Sequence, residues 1–240
     1  MKQILFLGLI ALSLFSCEKY HTRNTEISDF IRSEYYADAR QIYYDEFSFN
    51  KFHKNYNEAE FDEKEIDHIL KLIQLVYDSE LPERDTIFSV YNIHKSCSGN
   101  FNTIILHVDT SNYAIKNLAK GITSNTSDRV LDNYLLEYEI DSVVRSMSYP
   151  KSNWLALYFK KAWNPIKTID DFATVEGVEY CSGNEGCFDG DDIEVKIKAG
   201  KMEIDFSHGW GDCPSGCIRR IGWIFSVRNN QVKLLKRYEN

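Results

Sequence analysis

The sequence predicts an α+β protein, and three observations along the chain support this class. Helix-like hydrophobic spacing dominates the first third, helical and strand-like segments alternate in the middle, and alternating strands separated by turns fill the C-terminal part. Hydrophobic residues make up 43% of the 240 residues and aromatic residues 14%, which is enough for a real core. We expect N-terminal helices, a central βαββαβ sheet and C-terminal antiparallel β hairpins with cysteine loops.

The first residues indicate export from the cytoplasm. A basic start is followed by an apolar run at residues 4–15, which has the length of a signal-peptide core and is too short to span a bilayer. The run ends in Leu-Phe-Ser-Cys at residues 14–17, which resembles the lipobox of bacterial lipoproteins. That resemblance implies cleavage before Cys17, acylation of Cys17 and attachment to a bacterial membrane, which we expect to be the outer membrane. The alternative is a plain secretory signal whose cysteine is incidental.

Charge and segment composition narrow the class of partner. The net charge is −8, and loss of Lys2 with the signal peptide makes the mature chain one unit more negative. An acidic surface argues against nucleic acid and against adhesion to anionic lipid headgroups. No later run approaches a spanning length, so the acyl group is expected to be the membrane anchor. We divide the chain into a signal peptide (1–16), a tether (17–25), a helical segment (26–84), an α/β region (85–182) and a disulfide-bearing β region (183–240).

The helical segment contains one strongly signalled helix. Asp62 is a suitable N-cap with Glu65 three residues later, apolar residues share one face up to Tyr77, and Pro82 ends the pattern. Residues 86–94 are rich in β-branched and aromatic side chains, and we interpret them as a strand paired with residues 102–108 across a turn at 96–100. That hairpin would make His94 and His107 near neighbours.

The middle of the chain predicts a split β-α-β arrangement. Short helices are expected at 112–120 and 128–138, strands at 142–147 and 154–159, and a final strand at 178–180. Asn164 followed by Pro165 is a good helix start before that last strand. If residues 112–120 are only a connection, the order is that of ferredoxin-like folds. The region also resembles the propeptide and inhibitor-like domains of subtilisin-type proteases, at residues 131–138, 143–144, 154–158 and 175–180, and this resemblance implies a protease-binding role without a catalytic motif.

The C-terminal β region contains cysteine-rich loops. Its strands are expected at 193–197, 202–206, 218–227 and 232–238. Outside the cytoplasm disulfides persist, and four cysteines in two short loops favour two bridges, with three pairings open. We prefer the local pairs Cys181–Cys187 and Cys213–Cys217, because the glycines and the proline in these loops let their ends meet. Cys97 is then the odd thiol.

Other chemistry is conceivable in the two cysteine loops. Redox activity is disfavoured because three residues separate Cys213 from Cys217, where thioredoxin-type motifs have two. A zinc site could use His208, Asp212, Cys213 and Cys217, although an oxidising compartment weakens this interpretation. Calcium could bind the acidic residues that follow the first loop, since it favours oxygen ligands. The candidate ligands are Asp189, Asp191 and Asp192, and the alternative is a solvated acidic turn.

Two stretches resemble uncharacterised lipoproteins of the Bacteroidetes type. They are Gly-Trp-Gly-Asp-Cys-Pro-Ser-Gly-Cys-Ile at 209–218 and Asp-Thr-Ile-Phe-Ser-Val-Tyr-Asn-Ile-His at 85–94. The resemblance implies a family without an established activity, so it bears on location more than on function.

The expected function is binding or interaction at the cell envelope. Trp210 with His208 and Asp212 forms the candidate contact surface, and a protein or a glycan is the candidate partner. Alternatively, Trp210 simply packs over a disulfide. Two further alternatives are a small hydrolytic, thiol-dependent or metal-dependent enzyme that uses His208, Asp212 and a cysteine, and a protease-inhibitor-like module.

Overall fold

The computed structural model describes residues 26–96, 98–145, 153–186, 189–198, 201–211 and 216–240. The predicted α+β class is confirmed, because the described residues form helices and two antiparallel sheets. The predicted signal peptide, the tether and Cys17 lie outside the described residues. Within the described ranges, no helix is both long enough and apolar enough to cross a membrane.

The elements follow one another as helices, a mixed middle and consecutive strands. The helices are α1 Asp29–Ser48, α2 Glu63–Tyr77, α3 Glu83–Asp85 with a π-helical turn Thr86–Val90, α4 Tyr113–Leu118, α5 Arg129–Glu137 and α6 Pro165–Phe172. The strands are β1 Ser98–Val108, β2 Ile140–Arg145, β3 Trp154–Phe159, β4 Val178–Gly186, β5 Asp192–Lys198, β6 Lys201–Trp210, β7 Arg219–Arg228 and β8 Gln231–Glu239.

The central sheet has the predicted ferredoxin-like arrangement. Its strand order is β2-β3-β1-β4, and every neighbouring pair is antiparallel. Alternate residues of each strand point to one face, which packs against α4, α5 and α6. Leu106, Leu157 and Phe172 are among the fully buried side chains of this core.

The second sheet is built from the C-terminal strands and packs against the N-terminal helices. Strands β5, β6, β7 and β8 pair consecutively and antiparallel. Their inner face carries Phe206, Trp223 and Phe225, which share one core with Tyr35 of α1 and Ile66 of α2. The N-terminal helices and the C-terminal strands therefore form one two-layer unit with a common core, and the ferredoxin-like region lies between them in the sequence.

Helix starts agree with the sequence because capping is a local interaction. The Asp62 carboxylate accepts the backbone N–H of Lys64 at 3.0 Å, and the Asn164 side chain accepts that of Ile166 at 3.1 Å. Pro165 stands at the first position of α6, where its missing N–H costs no helical hydrogen bond.

The predicted strand at residues 86–94 is wrong. Residues 86–90 form the π-helical turn, and residues 91–96 continue without strand pairing. The apolar side chains of this segment fill the core between α1, α2 and the second sheet. Ile87 and Ile93 are completely buried there. Burial in this core outweighs the β propensity of the segment. His94 and His107 consequently belong to different parts of the fold.

Candidate functional site

The inner face of β6 reaches the surface at the end of the strand. Ile204, Phe206, His208 and Trp210 point to the same side of the sheet, because successive strand residues alternate. The first two are completely buried, whereas His208 and Trp210 are half-buried. The row of core side chains on β6 thus ends at the surface in two aromatic side chains.

Three rings stack at this end of the strand. The ring centroids of Tyr91 and His208 are 4.3 Å apart with an interplanar angle of 21°, and those of His208 and Trp210 are 5.5 Å apart at 20°. Tyr91 also contacts the buried Trp223 ring, with centroids 6.0 Å apart. We call Tyr91, His208 and Trp210 the ring stack. It extends the core into a surface that partly contacts water.

Asp191 fixes the orientation of the central ring. Its Oδ1 lies 2.7 Å from Nδ1 of His208 and also accepts the backbone N–H of Gly209 at 3.2 Å. A histidine held by a carboxylate on one nitrogen can act as a base through the other. Among the described residues, no hydroxyl or free thiol hydrogen-bonds the second ring nitrogen of His208.

The half-buried His94 pairs with the buried Asp38, and this pair holds the segment that carries Tyr91. Nδ1 of His94 lies 2.7 Å from the Asp38 carboxylate, which also accepts the backbone N–H of Lys95 at 2.7 Å. The His94 ring stacks on Tyr35 at 4.6 Å. The hydrogen bond that His94 donates to Asp38 raises the pKa of His94 above its ordinary value, against the opposing effect of burial.

Lys95 ties the same segment to the second sheet. Its side chain is only 8% exposed, and its ammonium lies 2.7 Å from Asp192 and 3.1 Å from Asp45. Burial by itself would lower the pKa of Lys95, but the hydrogen bonds and charges of these two carboxylates raise it. Residues 91–96 are therefore anchored on both sides, to α1 and to β5.

Exposed aliphatic side chains border the ring stack. Val90 is 70% exposed and Tyr91 is 36% exposed where the π-helical turn ends. Ile218 is 70% exposed, and it lies against Gly211, the residue that follows Trp210. Val90 precedes Tyr91 in the chain, and Ile218 lies beside the residue that follows Trp210, so an exposed aliphatic side chain stands near each end of the ring stack.

The three acidic residues predicted as calcium ligands face three different cations. Asp189 pairs with Arg220, Asp191 with His208 and Asp192 with Lys95. They do not form the shared cage of oxygen atoms that a calcium site requires. In the ranges that the structure describes, no group of three or more His, Cys, Asp or Glu residues could hold a metal ion.

The predicted cysteine pairs are partly corrected. Cys217 is disulfide-bonded, as expected. Cys181 is a free thiol, so the predicted bridge to Cys187 is wrong. Cys181 lies opposite Leu106 in the central sheet and is buried in its core, and burial raises the pKa of this thiol to about 12. The remaining predicted site residues, namely Cys97, Cys187, Asp212 and Cys213, lie outside the described residues.

The geometry at Gly209 separates Trp210 from the disulfide. A Cβ atom on Gly209 would fall 2.6 Å from Sγ of Cys217, so the sulfur lies on the side of the strand to which Gly209 points. Trp210 points to the opposite side and packs against the core. The interpretation that Trp210 packs over this disulfide is therefore wrong. A zinc site that uses Cys217 as a thiolate is also ruled out while the bridge is intact.

Sequence reasoning found two members of the ring stack and missed the third. His208 and Trp210 were candidates because they share a glycine-rich loop motif. Tyr91 lies 117 positions before His208 in the chain, and its contact depends on how the helical layer packs on the sheet. Comparisons with protein-family models, with curated proteins and with solved structures find no match to the chain.

Proposed function

We propose that this chain is a lipid-anchored protein of the bacterial cell envelope that binds a partner protein. Its contact surface is the ring stack together with Val90 and Ile218. The observation that carries the proposal is that three stacked rings are held at the surface by Asp191 and end among exposed aliphatic side chains.

Such a surface suits binding for two physical reasons. Aromatic side chains bury a large apolar area and are enriched among the residues that dominate binding energy. The stack and the Asp191 hydrogen bond already restrict the rings, so little side-chain entropy is lost when a partner docks. The exposed Val90 and Ile218 favour an apolar protein surface over a glycan, since sugars stack on rings but also need polar groups around them.

Site-specific photo-crosslinking in the native envelope tests this proposal. A photoreactive side chain at Ile218 is expected to give a discrete adduct with one protein. The matched control is Leu136 on α5, which is 80% exposed and belongs to the other sheet's helical layer. Discrete adducts at 218, absent at 136 and lost when Tyr91→Ala is added, support the proposal. Equal labelling at both positions, or labelling of glycan alone, would contradict it.

The membrane tether is a separate part of the proposal. The lipobox-like residues 14–17 support cleavage before Cys17 and its acylation. The intact mass of the mature protein, extracted from its own membrane, should equal that of residues 17–240 plus acyl groups. A mature protein without lipid, or one that begins at another residue, would contradict the proposed lipid tether.

The His208–Asp191 pair favours a second candidate, a small envelope hydrolase with His208 as general base. We place it second because Cys217 cannot be a nucleophile while it is in a disulfide. His208→Phe separates the two, since it keeps an aromatic ring in the stack and removes the base. Binding should persist in this variant, whereas a hydrolase would lose its activity.

A further inference from the structure

Arg40 on α1 is a half-buried cation, and no carboxylate in the described part of the chain forms an ion pair with it. Its guanidinium carbon lies 4.9 Å from the centroid of the Phe101 ring, 5.7 Å from that of Tyr36 and 5.9 Å from that of Phe61. Its Nε atom is buried and has no hydrogen-bond partner. Burial lowers the pKa of Arg40, yet an arginine remains charged. Withdrawing part of a charge from water among aromatic rings is costly unless the charge is paired.

Two other arginines, one on α1 and one on α3, have the acidic partner that Arg40 lacks. Arg32 lies 2.9 Å from Asp67, and Arg84 lies 2.7 Å from Asp85. Arg84 also lies over an aromatic ring, 5.7 Å from the centroid of Tyr77. Arg84 therefore has both an aromatic and an acidic partner, whereas Arg40 has aromatic partners alone among the described residues. In the described part of the chain, no carboxylate forms an ion pair with Arg40.

A cavity of about 220 Å³ opens beside this guanidinium, with Tyr36, Phe61 and Ala162 in its wall. Two acidic residues line it, but other groups engage both. Glu60 accepts a hydrogen bond from Lys161 at 2.6 Å, and Glu63 accepts one from the Tyr36 hydroxyl at 2.7 Å. Arg40 and Lys161 also line the cavity, and Arg40 is the lining cation that has no ion pair with a carboxylate of the described chain.

We propose that this cavity binds the carboxylate of a small organic acid. The planar fork of a guanidinium matches a carboxylate, which accepts two parallel hydrogen bonds. The aromatic walls suit a short apolar body on the acid, and the volume fits a molecule of about ten heavy atoms and excludes a folded partner. Glu60 and Glu63 add negative charge to the wall, so a monoanion is favoured over a dianion such as a phosphate monoester.

The test compares an acid with its neutral isostere on the full mature chain. Fluorine NMR of 4-fluorobenzoate should show saturable binding, and 4-fluorobenzamide should bind at least about tenfold more weakly because it lacks the charge. Arg40→Met should weaken benzoate binding by about the same factor. The matched control Arg84→Met removes another ring-stacked arginine and should leave binding unchanged.

Several results would overturn the proposal. They are an absence of saturable benzoate binding, equal binding of the acid and the amide, or an unchanged affinity in Arg40→Met. Tighter binding of 4-fluorophenyl phosphate than of 4-fluorobenzoate would overturn the preference for a monoanion. If Arg40→Met does not fold, Arg40→Lys keeps the charge and removes the fork, and the comparison of acid with amide on the unaltered chain remains decisive.

Discussion

At the scale of single residues, the Asp191 carboxylate determines how the ring of His208 is presented. Asp191→Ala removes the acceptor of both His208 Nδ1 and the Gly209 N–H. We expect a loss of about 2 kcal/mol in the free energy of unfolding, since two partly buried donors lose their partner. Urea unfolding measures this, with Asp141→Ala on the exposed side of β2 as a control. A loss equal to that of the control would contradict the role given to Asp191.

The His94–Asp38 pair predicts a pH dependence with a definite sign. Because the pKa of His94 is raised in the folded state, its charged form stabilises the fold fully below its unfolded pKa, and this stabilisation is lost as pH rises through the folded pKa. His94→Gln should therefore cost more stability at pH 5.5 than at pH 8.5. Urea unfolding of both proteins at the two pH values tests this. An equal cost at both values would show that the charge of His94 does not matter.

Within single elements, the end of β6 requires a glycine for reasons of space. A Cβ atom at position 209 would fall 2.6 Å from Sγ of Cys217 and 2.7 Å from the carbonyl oxygen of Gly190. Gly209→Ala should lower the free energy of unfolding by about 2 kcal/mol, because backbone and sulfur cannot both move away. Thermal and urea unfolding measure the change. A loss below about 0.5 kcal/mol would mean that the loop accommodates the methyl group.

The sequence predicts elements well where their signals are local. The caps Asp62 and Asn164 and the alternation at 193–197 and 202–206 depend on neighbours in the chain, and they are predicted correctly. Strand β6, however, continues to Trp210, where the sequence predicts a loop. Residues 86–94 were misassigned because β-branched and aromatic residues suit any buried position, not only strands. Cys181 is misassigned because β4 extends beyond Tyr180. The side chain of Cys181 therefore points into the core of the central sheet.

For the whole molecule, the joining of the first and last thirds was beyond sequence reasoning. Hydrophobic patterns show that α2 and β7 each have an apolar face, but they do not show that these faces meet. The same limit hid Tyr91 from the candidate site, since its stacking on His208 exists only after that packing. The ring stack is therefore a product of tertiary structure, of which the sequence revealed only the β6 side.

The shared core makes a prediction about cooperative unfolding. Trp223→Ala deletes a buried side chain at the centre of this core and should cost about 4 kcal/mol. Hydrogen exchange should then accelerate together in α1, α2 and β5 to β8, with less change in β1 to β4. Unchanged exchange in α1 and α2 would contradict a common core of the two chain ends.

The most direct test of the binding surface is hydroxyl-radical footprinting in two states. Tyr91 and Trp210 are labelled in the purified mature protein and in the native envelope, with Phe52, which is 99% exposed, as the internal reference. If a partner protein covers the ring stack, labelling of both rings falls in the envelope while that of Phe52 is unchanged. Equal labelling of Tyr91 and Trp210 in the two states would contradict a bound partner at this surface.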